Sequence, residues 1–106
     1  MNIFRKRHSN CEPADVASTP ISQAAVRRPV TVCGQVVRIK TRPAAGLPSL
    51  VVSIADDSGT ATAVWSGRRD IGGVSLGRRI ILEGVGAPTA GGPVFMNPAY
   101  TLLADH

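Results

Sequence analysis

Adjacent aspartates at 56 and 57, histidines at 8 and 106, cysteines at 11 and 33 and several serines are the residues of this chain that could carry bond chemistry. Their spacing argues against each such use. A nucleophilic serine needs a base within hydrogen-bond reach, but His8 stands in a basic segment and His106 is the last residue given. Asp56 and Asp57 are neighbours, so their side chains diverge, and the Ser58-Gly59 that follows makes them a turn whose side chains bind backbone amides. The cysteines show no Cys-x-x-Cys spacing and only two histidines could supplement them, a poor set for zinc. A disulfide between them is open but unsupported, and the expectation is an exposed, free Cys11 and a small, packed Cys33, both reduced. Gly84-Val85-Gly86 and Ala90-Gly91-Gly92 lack the lysine and the strand-to-helix setting of a phosphate loop. The residues thus predict no enzyme, no cofactor and no metal.

Positive charge is the pattern that remains. Twelve lysines and arginines against seven acidic residues give a net charge of +5, which favours an anionic partner. Arg38, Lys40 and Arg42 alternate, so a regular strand would project them on one face about 6.5–7 Å apart, a spacing that can follow a phosphate backbone. Ordinary solubilising charge is the competing explanation. Arg68-Arg69 and Arg78-Arg79 flank a turn, where they could extend that surface or keep the loop solvated. Single-strand binders usually add aromatic rings on which bases stack, and the rings available are Trp65, Tyr100, Phe95 and Phe4.

These side chains need a scaffold, and the sequence predicts five short strands. Residues 50–65 alternate around Asp56-Asp57-Ser58-Gly59 as a hairpin. Leu50, Val52 and Ile54 share one face of its first arm. Val64 is assigned inward on the second arm, which turns Trp65 outward as a stacking platform; a cover over one end of the fold is the other role open to it. Residues 30–42 precede the hairpin, and residues 78–85 and 93–103 follow it. Tyr100 and Phe95 fall on opposite faces of a regular strand, although Pro98 permits a break. Glycines inside the first and fourth strands allow bulges or coiling, and five short, bent strands suit a small closed barrel without long exposed edges. Hydrophobic residues make up 43% of the chain but aromatic ones only 4%, so the core must come from Val, Ile, Leu and Ala. A length of 106 residues suits one domain.

Four segments in this order carry a family resemblance: Val32-x-Gly34-x-Val36, Asp56-Asp57-Ser58-Gly59, Leu76-Gly77 with Leu82-Glu83-Gly84, and Asn97-Pro98-Ala99-Tyr100. Over residues 30–103 the chain resembles the OB-fold family of nucleic-acid-binding domains, and these segments look most like the wedge domain of RecG-type helicases and, over the whole length, small actinobacterial OB-fold proteins. In the latter a Val-Trp-x-Gly-Arg-Arg stretch is similar to residues 64–69 here. The resemblance implies an all-β fold, a five-stranded OB-fold barrel, and places Trp65 on the surface such domains commonly present to a ligand. It departs at residues 70–75, where the paired glycines 72 and 73 disfavour the helix that many OB-folds carry between strands three and four.

Residues 1–29 form a basic leader in which Arg5, Lys6, Arg7, Arg27 and Arg28 stand against Glu12 and Asp15. Thr19 can cap a short helix with Pro20 in its first position, ending before Pro29, which biases Arg28 away from helical dihedrals. That helix packs against one barrel end or belongs to a weakly ordered leader; residues 30–106 form the barrel. No apolar run approaches the roughly 20 residues of a membrane span, and no apolar signal region follows Met1, so the cytoplasm is the default. The function expected is non-enzymatic binding of single-stranded or branched DNA, with RNA also open, through Arg38, Lys40, Arg42, Trp65, Arg68, Arg69 and Tyr100. A protein-interaction module using a groove or sheet edge is the alternative, and an accessory role beside a helicase or another DNA-processing protein is a third class.

Overall fold

In the computed structural model the described residues are 18–42, 47–68 and 70–103. The longest strand, β1 (Pro29–Arg42), serves two neighbours in turn. Its first half runs antiparallel to β4 (Arg79–Ala87), with Pro29 opposite Val85 and Gln35 opposite Arg79. Its second half runs antiparallel to β2 (Ser49–Ala55), with Gln35 opposite Ala55 and Arg42 opposite Ser49. β2 pairs with β3 (Thr60–Ser66), β3 lies parallel to β5 (Val94–Met96), and β5 lies antiparallel to β4. The order β1-β2-β3-β5-β4 therefore returns to β1, a closed ring of five strands. At the crossing from one partner to the other only glycine fits. A Cβ on Gly34 would stand 2.8 Å from the Ala55 carbonyl oxygen.

The same strand contains a bulge at Val37: Val36 faces Ile54, but Arg38 already faces Ser53. Val32 and Val36 point into the core, and strict alternation would send Arg38, Lys40 and Arg42 inward after them. The extra residue reverses the phase. Ile39 then packs against the core while the three cations are exposed, and bulges bend the strand that carries them.

The strand expected over residues 93–103 is two strands, β5 and β6 (Ala99–Leu102). Asn97 sits at φ 50°, a left-handed conformation that Asn tolerates, and Pro98 follows. The pairing with β4 slips by one residue across this break, from Phe95 opposite Gly86 to Ala99 opposite Glu83. Phe95 is fully buried, and Tyr100 faces the buried Leu82, so the slip brings both rings toward the interior side rather than to opposite faces.

Leu50, Val52, Ile54, Ile80, Leu82 and Phe95 fill the ring, and two isoleucines from outside the strands close it. Ile71, in the connection after β3, is buried in that core. Residues 70–75 form turns instead of a helix, with the Val74 amide bonded to the Ile71 carbonyl. Ile21 is buried beside Gly59, at the end of the ring where β2 turns into β3. Fully burying such a side chain is worth about 1.5–3 kcal/mol.

The N-terminal helix is not found; Ile21–Gln23 form a single 3₁₀ turn with Pro20 at its cap and Ala24 extended after it. Competing hydrogen bonds explain the correction. The Thr19 amide bonds the Thr31 carbonyl, and the Arg27 amide bonds that of Gly86. The Ile21 amide donates to Asp56 Oδ2 at 2.9 Å and the Ser22 amide to Ser58 Oγ at 3.0 Å. Residues 19–27 are thus a strap laid across the ring's end. Residues 1–17, including Arg5, Lys6, Arg7, His8 and Cys11, lie outside the described residues, as does His106. Cys33 is disulfide-bonded, which corrects the expectation of a free packed thiol; its position opposite Ile81 puts the sulfur on the outer side of the ring. Among the described residues no helix is long and apolar enough to cross a membrane.

Asp56 holds both the turn and the strap. Its Oδ1 accepts from the Ser58 amide at 2.7 Å, the Ser58 hydroxyl at 2.6 Å and the Gly59 amide at 3.0 Å. Partial burial raises the pKa of this carboxyl, and the donors on Ser58, Ile21 and Gly59 outweigh it, so the group titrates below its ordinary value. A depressed folded-state pKa stabilises the fold above the ordinary carboxylate range, and the contribution disappears as pH falls through the folded value. Asp56→Ala is expected to lower stability by about 1–2 kcal/mol at pH 7, at the modest end for charged hydrogen bonds because the site is partly exposed. Chemical denaturation at neutral and acid pH checks this: the difference between wild type and variant should shrink toward zero in acid.

Candidate nucleic-acid interface

The phase set by the Val37 bulge assembles one outer face from β1, β2, β3 and β5. Reading across the strands, one row is Arg38, Ser53, Thr62 and Val94, and the next is Lys40, Val51, Val64 and Met96. A third row runs Arg42, Ser49 and Ser66. With strands about 4.8 Å apart the face is roughly 14 Å wide. Arg38, Lys40 and Arg42 line one margin, all exposed, and Met96 on the opposite margin is 58% exposed. Between them lie small hydroxyls and an apolar row. The Gly67 amide bonds the Pro48 carbonyl at 2.7 Å, which brings the exposed Arg68 to the Arg42 end of this face. Arg69 lies outside the described residues.

Trp65 does not belong to this face. It is 5% exposed and sits inside with Ala61 and Ala63, whereas Val64 is on the outer side, the reverse of the sequence-based assignment. The hairpin register is the cause. Ala55 pairs with Thr60, so the inward Leu50, Val52 and Ile54 face Trp65, Ala63 and Ala61, and paired residues share a side of the sheet. Two alanines leave the volume that the indole occupies. Its Nε1 donates to the Pro98 carbonyl at 3.1 Å, and the Tyr100 ring stands edge-on to it, with centroids 5.5 Å apart and planes at 75°.

This contact closes the gap where β6 diverges from β3. Asn97 completes the closure: its amide donates to the Val64 carbonyl, and its side-chain oxygen accepts from the Ser66 amide at 2.9 Å. Tyr100 remains 37% exposed at this seam; of the expected rings among the described residues it is the one with a surface open to a ligand, and Phe4 lies outside them. Arg78 is committed elsewhere, its Nε bonding the Leu103 carbonyl at 2.8 Å. The sequence reading missed Met96, Ser53 and Thr62 as face residues; carrying the parity of β2 through the four-residue turn would have found the β3 member.

A buried, hydrogen-bonded indole should emit at short wavelength and resist acrylamide, and addition of an oligonucleotide should leave its fluorescence unquenched. Trp65→Ala is expected to destabilise the fold by about 3–5 kcal/mol, the cost of emptying a large aromatic site, measured by thermal or denaturant unfolding. A solvent-quenched indole in the folded protein would contradict this packing.

No family model matches this chain, and no curated protein matches it.

Proposed function

We propose that this chain is a non-enzymatic OB-fold module that binds single-stranded or branched nucleic acid with little sequence preference, phosphates following Arg38, Lys40 and Arg42. The observation that carries the reading is the Val37 bulge, which turns three regularly spaced cations outward on a continuous sheet face. The ring order β1-β2-β3-β5-β4 with β3 and β5 parallel supports the OB-fold reading, a fold whose second and third strands commonly carry the ligand. Hydroxyls at Ser49, Ser53, Thr62 and Ser66 can supply further phosphate or sugar contacts without reading bases. With Trp65 and Phe95 buried, stacking among the described residues falls to Tyr100 and packing to Met96, so the affinity of this face is modest and mostly electrostatic.

A second reading, a protein-interaction module, is favoured by the apolar row Val51, Val64 and Met96, whose last member is largely exposed. Fluorescence-polarisation titrations with single-stranded DNA, duplex DNA and RNA at two salt concentrations separate the readings. Arg38→Glu combined with Lys40→Glu is expected to weaken binding alike for all sequences and to make the slope of log K against log salt shallower by about 1.4, at roughly 0.7 per lost single-strand phosphate contact. Melting temperature should hardly change. Equal affinity and slope in wild type and variant would remove the cationic margin from the interface, and salt-insensitive or absent binding would favour the protein partner.

A further inference from the structure

Polar and apolar rows alternate across the outer face of β1, β2, β3 and β5 with the same period as its cations. The row headed by Arg38 continues into Ser53 and Thr62, and the row headed by Arg42 into Ser49 and Ser66. Between them the Lys40 row is apolar beyond its cation, running over Val51 and Val64 to Met96. Neighbouring rows are two residues apart along each strand, about 6.5–7 Å. The set is bounded at both ends. Toward the hairpin turn the next outward row, Gln35, Ala55 and Thr60, has no cation; in the other direction β2 begins at Ser49 and β3 ends at Ser66.

The Lys40 row is graded in exposure. Val51 is 9% exposed, Val64 is half-buried and Met96 is 58% exposed. Its open apolar surface therefore lies on the margin away from Lys40, three strand spacings or about 14 Å across the sheet. We propose that this face takes three consecutive nucleotides of a single strand, one to a row, and that Val64 and Met96 form a central base subsite that favours a purine. The inference rests on the nucleic-acid reading above and narrows it, from a phosphate track to a track with one selective position.

Each part of the Lys40 row has its own role toward such a ligand. A phosphate held by the Lys40 ammonium sets its sugar over Val51, and the base then reaches across Val64 to the Met96 thioether. An unbranched, polarisable side chain adapts to a flat ring and makes favourable sulfur–aromatic contacts. A purine brings more ring area to that contact than a pyrimidine does. In the flanking rows the hydroxyls of Ser53, Thr62, Ser49 and Ser66 can bond sugar or phosphate, contacts that carry no base information. Arg68 lengthens the phosphate track at the Arg42 end but heads no row of its own. A duplex does not fit this arrangement, because its ring faces are stacked on one another and only base edges are presented in the grooves.

The test is competition by unlabelled 5′-phosphorylated trinucleotides against a fluorescent oligothymidylate bound to the full chain at low salt. Relative to the all-thymine trinucleotide, one with adenine in the middle should displace the probe at about three- to tenfold lower concentration. Adenine at either end should gain less than about twofold, since the flanking rows offer contacts to sugar and phosphate. Met96→Ala should bring the central-adenine ligand to the level of the end-substituted ones. Met96→Leu, which keeps an apolar side chain of similar size, should restore most of the difference. Met96 is exposed, so the melting temperatures of both variants should match wild type and show that the face is intact. A gain that is the same at all three positions, a central preference that survives Met96→Ala, or trinucleotides that fail to displace a bound probe would each overturn the subsite. The nucleic-acid reading would then still stand on binding of the probe and its loss in Arg38→Glu combined with Lys40→Glu. If the probe does not bind at all, that reading fails and the subsite with it.

Discussion

The four-residue turn that Asp56 closes sets Ala55 opposite Thr60, and that single pairing assigns every side chain of β3 to a side of the sheet. Because side-chain direction alternates with period two, a slip of one residue would exchange the two sides completely. In the register observed, Ala61, Ala63 and Trp65 face the core and Thr62, Val64 and Ser66 face outward. The same carboxylate accepts the Ile21 amide from a strap 35 residues earlier, so the group that fixes the register also fastens one closure of the core. The backbone-amide role that Ser58-Gly59 indicates for this carboxylate in the sequence is the one the contacts show, extended to the strap.

Much of this was legible from residue type alone, because the hairpin, the glycines and the alternating arms of β2 are local signals. The inward set Leu50, Val52 and Ile54 and the turn over residues 70–75 follow from alternation and from glycine's poor helix propensity. What escaped was decided by longer-range competition. Pro20 and Thr19 make an acceptable helix start, but Asp56 and Ser58 capture the amides of Ile21 and Ser22, and one 3₁₀ turn remains. Alternation within β3 alone could not tell Val64 from Trp65, since both are apolar; only the pairing with β2 distinguishes them. The β1 cations were found as a stripe, yet the Val37 bulge that turns them outward carries no obvious mark in the sequence.

A ring this poor in aromatic residues takes aliphatic side chains from outside the strands into its core, Ile21 and Ile71 buried and Ala24 and Val74 packed against it. Ile21 and Ile71 come from opposite sides of the sequence and from irregular segments, and each is held by hydrogen bonds around it rather than by a helix of its own. The lateral gap between β3 and β6 is closed differently, by the Trp65 and Tyr100 rings and by Asn97 bridging two backbone groups of β3. The outer face is left without a buried aromatic anchor, which is why its chemistry reduces to charge, hydroxyls and one exposed thioether.

The phase reversal at Val37 also bears on solubility during folding. A strand of 14 residues with a uniform apolar side would be a template for edge-to-edge stacking whenever the ring is open. Laid out flat, without its bulge, this one presents Val32 and Val36 on the same side as Arg38, Lys40 and Arg42. Intermolecular sheets built on it would have to bury three cations along with the two valines, with no counter-charge in the segment itself. The segment can become amphipathic along its whole length only by bending, and the bend is compatible with the closed ring, so the native topology is the arrangement in which this strand is adhesive on one side alone.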